Sequence, residues 1–210
     1  MATKTFGYTA LEPNSAYWGG SPYYANLGFR TTMPETGKVI SIKLRLARYS
    51  DTDTPIVWGM IWNRLTGAKI VQSTASISPT NTYTSAAALV AYTFIFPETV
   101  IAGGTLLWVG YGKNSNSGNR ALYFGKRTAQ SGQNIDTNDT SQSTPASSFT
   151  YNNTFANEAL WVEVTYKVGG RVKVWNGTAV VEKPLKVWNG SAWIEEVVKT
   201  WDGSSWKESN

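Results

Sequence analysis

Residues 40–46 read Ile-Ser-Ile-Lys-Leu-Arg-Leu, with an aliphatic residue at every second position. Successive side chains of a β-strand point to opposite faces, so this alternation is typical of a strand with one buried and one solvated face. We expect the four aliphatic residues in a core and the three polar residues on the other side. The stretch therefore predicts one layer of a β-structured domain.

Further strand patterns follow along residues 1–168, separated by turn residues rich in Gly, Asn, Asp and Pro. The predicted strands are 56–62, 68–72, 91–96, 105–111, 121–124 and 160–166, and only 85–90 fits a helical turn. Short strands with regular turn signals favour two sheets packed face to face. The sequence predicts an all-β, jelly-roll-like sandwich over 1–168, while the polar stretch 128–157 is expected to be a long loop.

Residues 172–210 are three gapless copies of a 13-residue motif. Each copy contains Trp followed by Asn-Gly or Asp-Gly, which favours a β-hairpin with a two-residue type I′ turn. In the second copy, that turn places Trp188 opposite Ser191 and Lys186 opposite Trp193. The Gly-rich residues 169–171 are predicted to be a hinge between the sandwich and the three hairpins.

The repeats carry the most specific candidate site residues. They are Trp175, Trp188, Trp193, Trp201 and Trp206, with Lys173, Lys186 and Lys199. One role is packing in a core or interface, with Lys beside Trp as a cation–π contact. The other is an exposed platform on which sugars stack. Because an isolated hairpin is marginal in water, we assign these residues to assembly or partner binding and expect a homo-oligomer.

A second aromatic group lies near the start of the sequence. Tyr17, Trp18, Tyr23 and Tyr24 stand in a turn-rich stretch and are a candidate glycan-binding site. A buried aromatic cluster is the alternative.

Composition argues against several kinds of catalyst. Cys and His are absent, which removes thiol nucleophiles, Ser-His-Asp catalysis and the common zinc sites. Glu163 is the one acid in the middle of a predicted strand, whereas glycoside hydrolysis needs a pair of carboxyl groups. We predict no enzyme, no catalytic residue, no metal and no cofactor. A polysaccharide-degrading enzyme that uses Glu163 is the less favoured alternative.

Other polar features predict no further partner. Asn134, Asp136, Asn138 and Asp139 offer oxygen ligands, but their spacing is not that of a calcium loop, so a solvated polar loop is expected. The net charge of +5 is spread thinly, which argues against nucleic-acid binding. No apolar run is long enough for a membrane helix, and no signal-peptide pattern is seen, so we expect the chain to be made in a cytoplasm and not to be exported by the ordinary secretory route.

The repeats also carry a resemblance to a known group of proteins. Residues 173–180, 186–193 and 199–206 read Lys-Val-Trp-Asn-Gly-Thr-Ala-Val, Lys-Val-Trp-Asn-Gly-Ser-Ala-Trp and Lys-Thr-Trp-Asp-Gly-Ser-Ser-Trp. They resemble the C-terminal repeats of bacteriophage virion proteins, above all minor tail proteins of phages of actinobacteria. Residues 1–168 resemble, in strand order, jelly-roll modules of surface-attached and carbohydrate-binding proteins.

This resemblance implies a non-enzymatic structural protein of a phage particle, assembled in the host cytoplasm with other virion proteins. It also favours a homotrimer, because phage fibres and spikes are often trimeric. A tail or fibre component that contacts host surface glycans is the favoured role. A decoration protein on the capsid surface is the alternative.

Overall fold

The computed structural model describes residues 2–9, 15–19, 26–114, 122–127, 131–138, 147–151, 153–168, 171–195, 199–201 and 204–208. These residues form β-strands joined by turns, together with one 3₁₀ turn at Ala86–Ala88. That turn lies inside the only stretch for which the sequence predicted a helical turn. The predicted all-β class is confirmed.

The strands before residue 169 form two antiparallel sheets that pack as a sandwich. They are β1 (Ala2–Tyr8), β2 (Ser15–Gly19), β3 (Asn26–Thr32), β4 (Gly37–Arg48), β5 (Val57–Asn63), β6 (Lys69–Gln72), β7 (Val90–Ile101), β8 (Leu106–Lys113), β9 (Leu122–Arg127), β10 (Asn134–Asn138), β11 (Asn153–Ala156), β12 (Ala159–Leu160) and β13 (Val162–Val168). The seven-stranded sheet has the order β1-β13-β4-β9-β12, with β7 on β4 and β2 on β9. The six-stranded sheet has the order β11-β10-β3-β8-β5-β6. Strands alternate between the sheets from β2 to β5 and again from β6 to β10, as in a jelly roll.

Strand β4 lies at the centre of the seven-stranded sheet and contains the alternating stretch. Ile42, Leu44 and Leu46 are fully buried, as expected. The expected burial of Ile40 is wrong, because the pairing with β7 shifts register between Val39 and Ser41 and Val39 becomes the buried residue. A bulge of this kind changes which side chain faces the core.

The core between the sheets is aliphatic and aromatic. It includes Leu27, Phe29, Val109 and Tyr111 of the six-stranded sheet and Ile42, Phe94, Phe124 and Val164 of the seven-stranded sheet. Fully burying one such side chain contributes about 1.5–3 kcal/mol. The sandwich therefore has an extensive core made by residues of its own two sheets.

The stretch 128–157, predicted as a loop, contains two strands. β10 pairs with β3 and β11 pairs with β10, so both extend the six-stranded sheet. Strand formers are scarce here, but Ile135 on β10 is fully buried in the core. Burial and pairing decide the conformation, although Asn and Asp are poor strand residues.

The three repeats form separate two-stranded sheets. Their strands are β14 (Arg171–Trp175), β15 (Val180–Pro184), β16 (Lys186–Trp188), β17 (Trp193–Glu195), β18 (Lys199–Trp201) and β19 (Trp206–Glu208). In the second copy Trp188 lies opposite Trp193, not opposite Ser191, so the predicted register is wrong by two residues. Of the expected hinge, Gly169 and Gly170 lie outside the described residues and Arg171 begins β14.

Candidate functional site

The turns of the first two hairpins explain why the observed register differs from the predicted one. The side-chain Oδ1 of Asn189 accepts hydrogen bonds from the amides of Ser191 and Ala192, both at 2.9 Å, and from the Ser191 hydroxyl at 3.0 Å. The Asn189 amide donates to the carbonyl of Ala192 at 3.1 Å. A type I′ turn needs a positive φ at both central residues. Gly190 has a φ of +100°, but the φ of Asn189 is not positive, so this turn is not of type I′.

The first repeat uses the same arrangement. Oδ1 of Asn176 accepts from the amides of Thr178 and Ala179 at 3.0 and 2.9 Å, and Gly177 has a φ of +101°. Asn, Gly and Ser or Thr are thus required at three successive positions, as acceptor, positive-φ residue and donor. This local requirement accounts for the recurring Asn-Gly-Ser/Thr sequence, which sets the register of the two strands.

The observed register creates a cross-strand tryptophan pair beside the turn. The rings of Trp188 and Trp193 have centroids 5.8 Å apart and planes inclined by 59°. They are 51% and 67% exposed. Contacts between aromatic residues directly across two strands stabilise a hairpin by about 0.2–1 kcal/mol. The pair therefore stabilises the hairpin while leaving indole surface open.

The other described tryptophans of the repeats are exposed as well. Trp175 is 63% exposed opposite Val180, and Trp201 is 54% exposed, with Trp206 as its Cα partner. Lys186 is exposed, and the side chains of Lys173, Lys199 and Trp206 lie outside the described part of the structure. The exposed tryptophans fit a surface that binds a partner or a glycan better than they fit a core within one chain.

In each hairpin, the two registered pairs that follow the pair closest to the turn show a pattern. The middle pairs are Val174 with Val181, Val187 with Ile194 and Thr200 with Lys207. The pairs farther from the turn are Lys173 with Glu182, Lys186 with Glu195 and Lys199 with Glu208. Val174 and Val187 are 41% and 43% exposed. The first two hairpins thus expose apolar residues at neighbouring positions of one strand, and neighbouring positions lie on opposite faces.

The second aromatic candidate site is only partly described. Tyr17 and Trp18 lie on β2, where their Cα partners are Phe124 and Tyr123 of β9. Their side chains, and all of Tyr23 and Tyr24, lie outside the described residues. The grouping of the four residues therefore stays a prediction.

A tyrosine stack that the sequence did not indicate lies next to this strand. Tyr123 stacks on Tyr83, with centroids 3.8 Å apart, and on Tyr49, with centroids 6.0 Å apart. Burial, with smaller contributions from Tyr49 and Tyr83, raises the pKa of Tyr123. The three residues are distant in sequence and meet because β9 pairs with the end of β4, where the Tyr83 amide donates to the Arg48 carbonyl. The rings of Tyr49 and Tyr83 both pack on Tyr123. The stack therefore holds two segments against β9, the turn after β4 that contains Tyr49 and the segment between β6 and β7 that contains Tyr83.

Asp136 is not a solvated loop residue or an available calcium ligand. Its carboxylate is fully buried on β10 and accepts hydrogen bonds from Arg30 Nε and Nη2 at 2.6 and 2.8 Å, from Trp108 Nε1 at 2.6 Å and from Thr154 Oγ1 at 2.7 Å. The hydrogen bond to Asp136 raises the pKa of Arg30. Four hydrogen bonds from side chains of three strands, β3, β8 and β11, occupy the carboxylate, which gives it a structural role.

The remaining members of the predicted polar loop are also engaged or outside the description. Oδ1 of Asn134 accepts from the Asn157 amide at 3.2 Å, and Nδ2 of Asn138 donates to the Thr150 carbonyl at 2.5 Å. Asp139 lies outside the described residues. Among the residues that the structure describes, no group of three or more acidic side chains is placed to hold a metal ion.

Glu163, the candidate for the enzyme alternative, is paired with a lysine. Its carboxylate accepts a hydrogen bond from Lys43 Nζ at 2.8 Å, and the two residues lie opposite each other on β13 and β4. A cross-strand ion pair of this kind is common on a half-exposed sheet face and needs no catalytic explanation.

Two searches add no relatives to this description. No protein-family model matches the chain, and no curated protein sequence matches it. No helix in the described part of the chain is long and apolar enough to cross a membrane.

Proposed function

We propose that this chain is a non-enzymatic structural protein of a bacteriophage particle, a tail or fibre component in contact with host surface glycans. The observation that carries the proposal is the array of three tandem hairpins with exposed tryptophans. The sequence of these hairpins is also the part of the chain that resembles phage virion repeats. In this proposal the sandwich is a stable scaffold, and the hairpins attach it to its partners.

Exposure of the tryptophans supports a binding role over a purely local one. Trp175, Trp188, Trp193 and Trp201 are all more than half exposed on the single chain. Contiguous exposed apolar surface is uncommon on a monomer that has no partner. The inclined rings of Trp188 and Trp193 present two apolar surfaces on which the C–H faces of a sugar ring can stack.

Repetition gives the array a second property. Three linked weak sites bind a repetitive surface much more tightly than one site does, because the second and third contacts are intramolecular. The polysaccharides of a cell envelope are repetitive surfaces of this kind. We expect a homotrimer, which would multiply the number of hairpins again.

Analysis of purified particles of the phage that encodes the chain tests the location. We expect mass spectrometry to find the protein in the particles and gold-labelled antibodies to mark the tail. Label on the head would support the alternative of a capsid decoration protein. Absence from purified particles would contradict both.

Incubation with purified host envelope polysaccharide tests the glycan contact and the absence of catalysis. We expect the full chain to sediment with the polysaccharide, and a variant carrying both Trp188→Ala and Trp193→Ala to sediment several-fold less. Val180→Ala in the first hairpin is the control for loss of an exposed apolar residue. Release of reducing ends by the wild type, abolished by Glu163→Gln, would support the enzyme alternative.

A further inference from the structure

The outer side of the six-stranded sheet carries an arginine whose guanidinium is held along one edge and open at its end. Arg30 donates from Nε and Nη2 to the two carboxylate oxygens of Asp136, at 2.6 and 2.8 Å. These bonds use the lateral edge of the planar guanidinium. Its end, formed by Nη1 and the second N–H of Nη2, has no acceptor among the residues that the structure describes. Because the Arg30 side chain is 29% exposed, a ligand can reach it.

Asp136 fixes the direction of this guanidinium. Its carboxylate is fully buried and also accepts hydrogen bonds from Trp108 Nε1 at 2.6 Å and from Thr154 Oγ1 at 2.7 Å. A buried acceptor with four hydrogen bonds has no room to turn, so the open N–H groups of Arg30 are oriented before any ligand arrives. Preorganisation of this kind reduces the entropic cost of binding.

An exposed aromatic ring lies beside the guanidinium. Tyr151 is 48% exposed, and the centre of its ring lies 5.6 Å from Arg30 Cζ. The ring also packs edge-on against Trp108, with centroids 5.8 Å apart and planes inclined by 65°. Both neighbours of Tyr151 are thus side chains that Asp136 holds in place. We call Arg30, Trp108, Asp136 and Tyr151 the Arg30 cluster.

The two open features of the cluster are complementary to two parts of one ligand. The end of a guanidinium presents two parallel N–H groups, which match the paired oxygens of a carboxylate or a phosphate. The exposed surface of Tyr151 offers an apolar area with a polar hydroxyl at its edge, on which the C–H groups of a sugar ring can pack. A sugar that carries an oxyanion uses both features at once.

The distribution of charge along the chain favours an anionic ligand at the sandwich. Residues 1–171 contain 14 basic and 9 acidic residues, whereas residues 172–210 contain five of each. The whole net charge of +5 therefore lies in the part of the chain that contains the Arg30 cluster. An excess of positive charge draws anionic polymers towards a surface and raises their rate of association.

We propose that the Arg30 cluster binds an acidic saccharide. Its carboxylate or phosphate oxygens accept hydrogen bonds from the end of the Arg30 guanidinium, and its sugar ring packs on Tyr151. The inference rests on the proposed contact with host glycans, and it assigns to that contact a site on the sandwich, separate from the hairpin tryptophans.

Nuclear magnetic resonance titration of the full chain with three monosaccharides tests the ligand class. Glucuronic acid, glucose 6-phosphate and glucose share one ring and differ in a carboxylate, a phosphate or a hydroxyl group. We expect the acidic probes to shift the Arg30 Nε–H and Trp108 Nε1–H signals, and glucose to bind about tenfold more weakly or less, because hydrogen bonds to charged groups are the stronger ones. The acidic probe that binds more tightly identifies the oxyanion as a carboxylate or a phosphate.

Variants of the full chain locate the site. We expect Tyr151→Ala, which removes the ring, and Arg30→Lys, which keeps the charge but removes the fork of N–H groups, both to weaken binding of the tighter acidic probe about tenfold. Tyr49→Ala is the matched control, since Tyr49 is 49% exposed and stacks on Tyr123 in the other sheet. It should bind the probe like the wild type. A Trp108 Nε1–H signal at its wild-type position shows that the cluster stays folded in Tyr151→Ala.

Three results would overturn the inference. They are the absence of a shift with both acidic probes, equal affinities for glucose and the acidic probes, and wild-type binding by both Tyr151→Ala and Arg30→Lys. Sedimentation with host polysaccharide is measured separately with the hairpin tryptophan variant, so a failure of the Arg30 cluster is distinguishable from a failure of the proposed function.

Discussion

At the scale of single residues, Asn189 shows how one side chain sets the register of a hairpin. It accepts three hydrogen bonds from the two residues that end the turn. The side-chain oxygen occupies the place that a backbone carbonyl has in a two-residue turn of ordinary geometry. Trp188 therefore stays next to the turn on the first strand, while its partner on the second strand is Trp193, two residues farther along than the Asn-Gly signal predicts.

Asn189→Ala tests this role. We expect the amides of Ser191 and Ala192 to exchange with solvent about tenfold faster or more, because each lost hydrogen bond contributes about 1 kcal/mol. Hydrogen exchange followed by nuclear magnetic resonance measures it. Asn189→Asp is the control, since the third copy has Asp202 at this position and a carboxylate accepts the same bonds. Unchanged exchange in Asn189→Ala would show that the side chain does not hold the turn.

Asp136 has a comparable role in the sandwich, at the point where β3, β8, β10 and β11 meet. Asp136→Asn leaves Arg30 without its ion-pair partner and turns an acceptor into a group with two donors. We expect a loss of about 3–5 kcal/mol in the free energy of unfolding, as for other broken buried pairs. Denaturant unfolding measures it.

Asp51→Asn is the control for Asp136→Asn. Asp51 pairs with Arg48 at 3.1 Å, but its side chain is 84% exposed. Exposed ion pairs contribute little, so the change should stay within about 0.5 kcal/mol. Equal losses in the two variants would contradict the structural role assigned to Asp136.

Tyr166 makes a prediction about alkaline pH. Burial, together with the neighbouring Glu35, raises the pKa of its hydroxyl, which donates to Glu35 Oε1 at 3.2 Å. A group whose pKa is raised by folding adds stability below its unfolded pKa, and that stability is lost as the pH rises through the folded value. The unfolded value for tyrosine is about 10.

We therefore expect the free energy of unfolding to fall above about pH 10, and to fall less steeply in Tyr166→Phe. Denaturant titrations at a series of pH values from neutral upward measure the two slopes. Identical slopes in the two proteins would mean that Tyr166 does not titrate differently in the folded chain.

At the scale of elements, β3 and β10 show what a sequence pattern misses. In β3, Asn26, Gly28 and Arg30 alternate with two apolar residues, Leu27 and Phe29, which face the core. With only two apolar residues, the alternation is too short to stand out as a strand pattern in the sequence. Gly28 is required by packing, since a Cβ there would lie 2.6 Å from Trp108 Cβ and 3.1 Å from Phe149 Cε1.

Gly28→Ala tests the closeness of this packing. The added methyl group must displace Trp108 or Phe149, which lie over the outer side of the six-stranded sheet. We expect a loss of about 1–3 kcal/mol, the usual cost of overpacking a filled site. Denaturant unfolding measures the loss. A stability equal to that of the wild type would show that Trp108 and Phe149 can move aside at no cost in free energy.

At the scale of the whole molecule, the sequence predicted the class of fold and most strands of the core. It did so where alternation was strict, as at Leu44 and Leu46, or where an apolar run was bounded by turns. It failed where tertiary contacts decide, as at the bulge beside Ile40 and at Asp136. The repeats were recognisable because their period has no gaps, but the hydrogen bonds of Asn189 that fix their register are a three-dimensional property.

The assembled picture is a β-sandwich with its own core and an array of hairpins that exposes apolar side chains on both faces. We propose that the repeats, and not the sandwich, hold copies of the protein together. The decisive measurement is the light-scattering mass of the full chain beside that of a chain ending at Val168. We expect a trimer for the full chain, 23.0 kDa per copy, and a monomer for the shortened one. A full chain that stays monomeric, or a shortened chain that still associates, would contradict it.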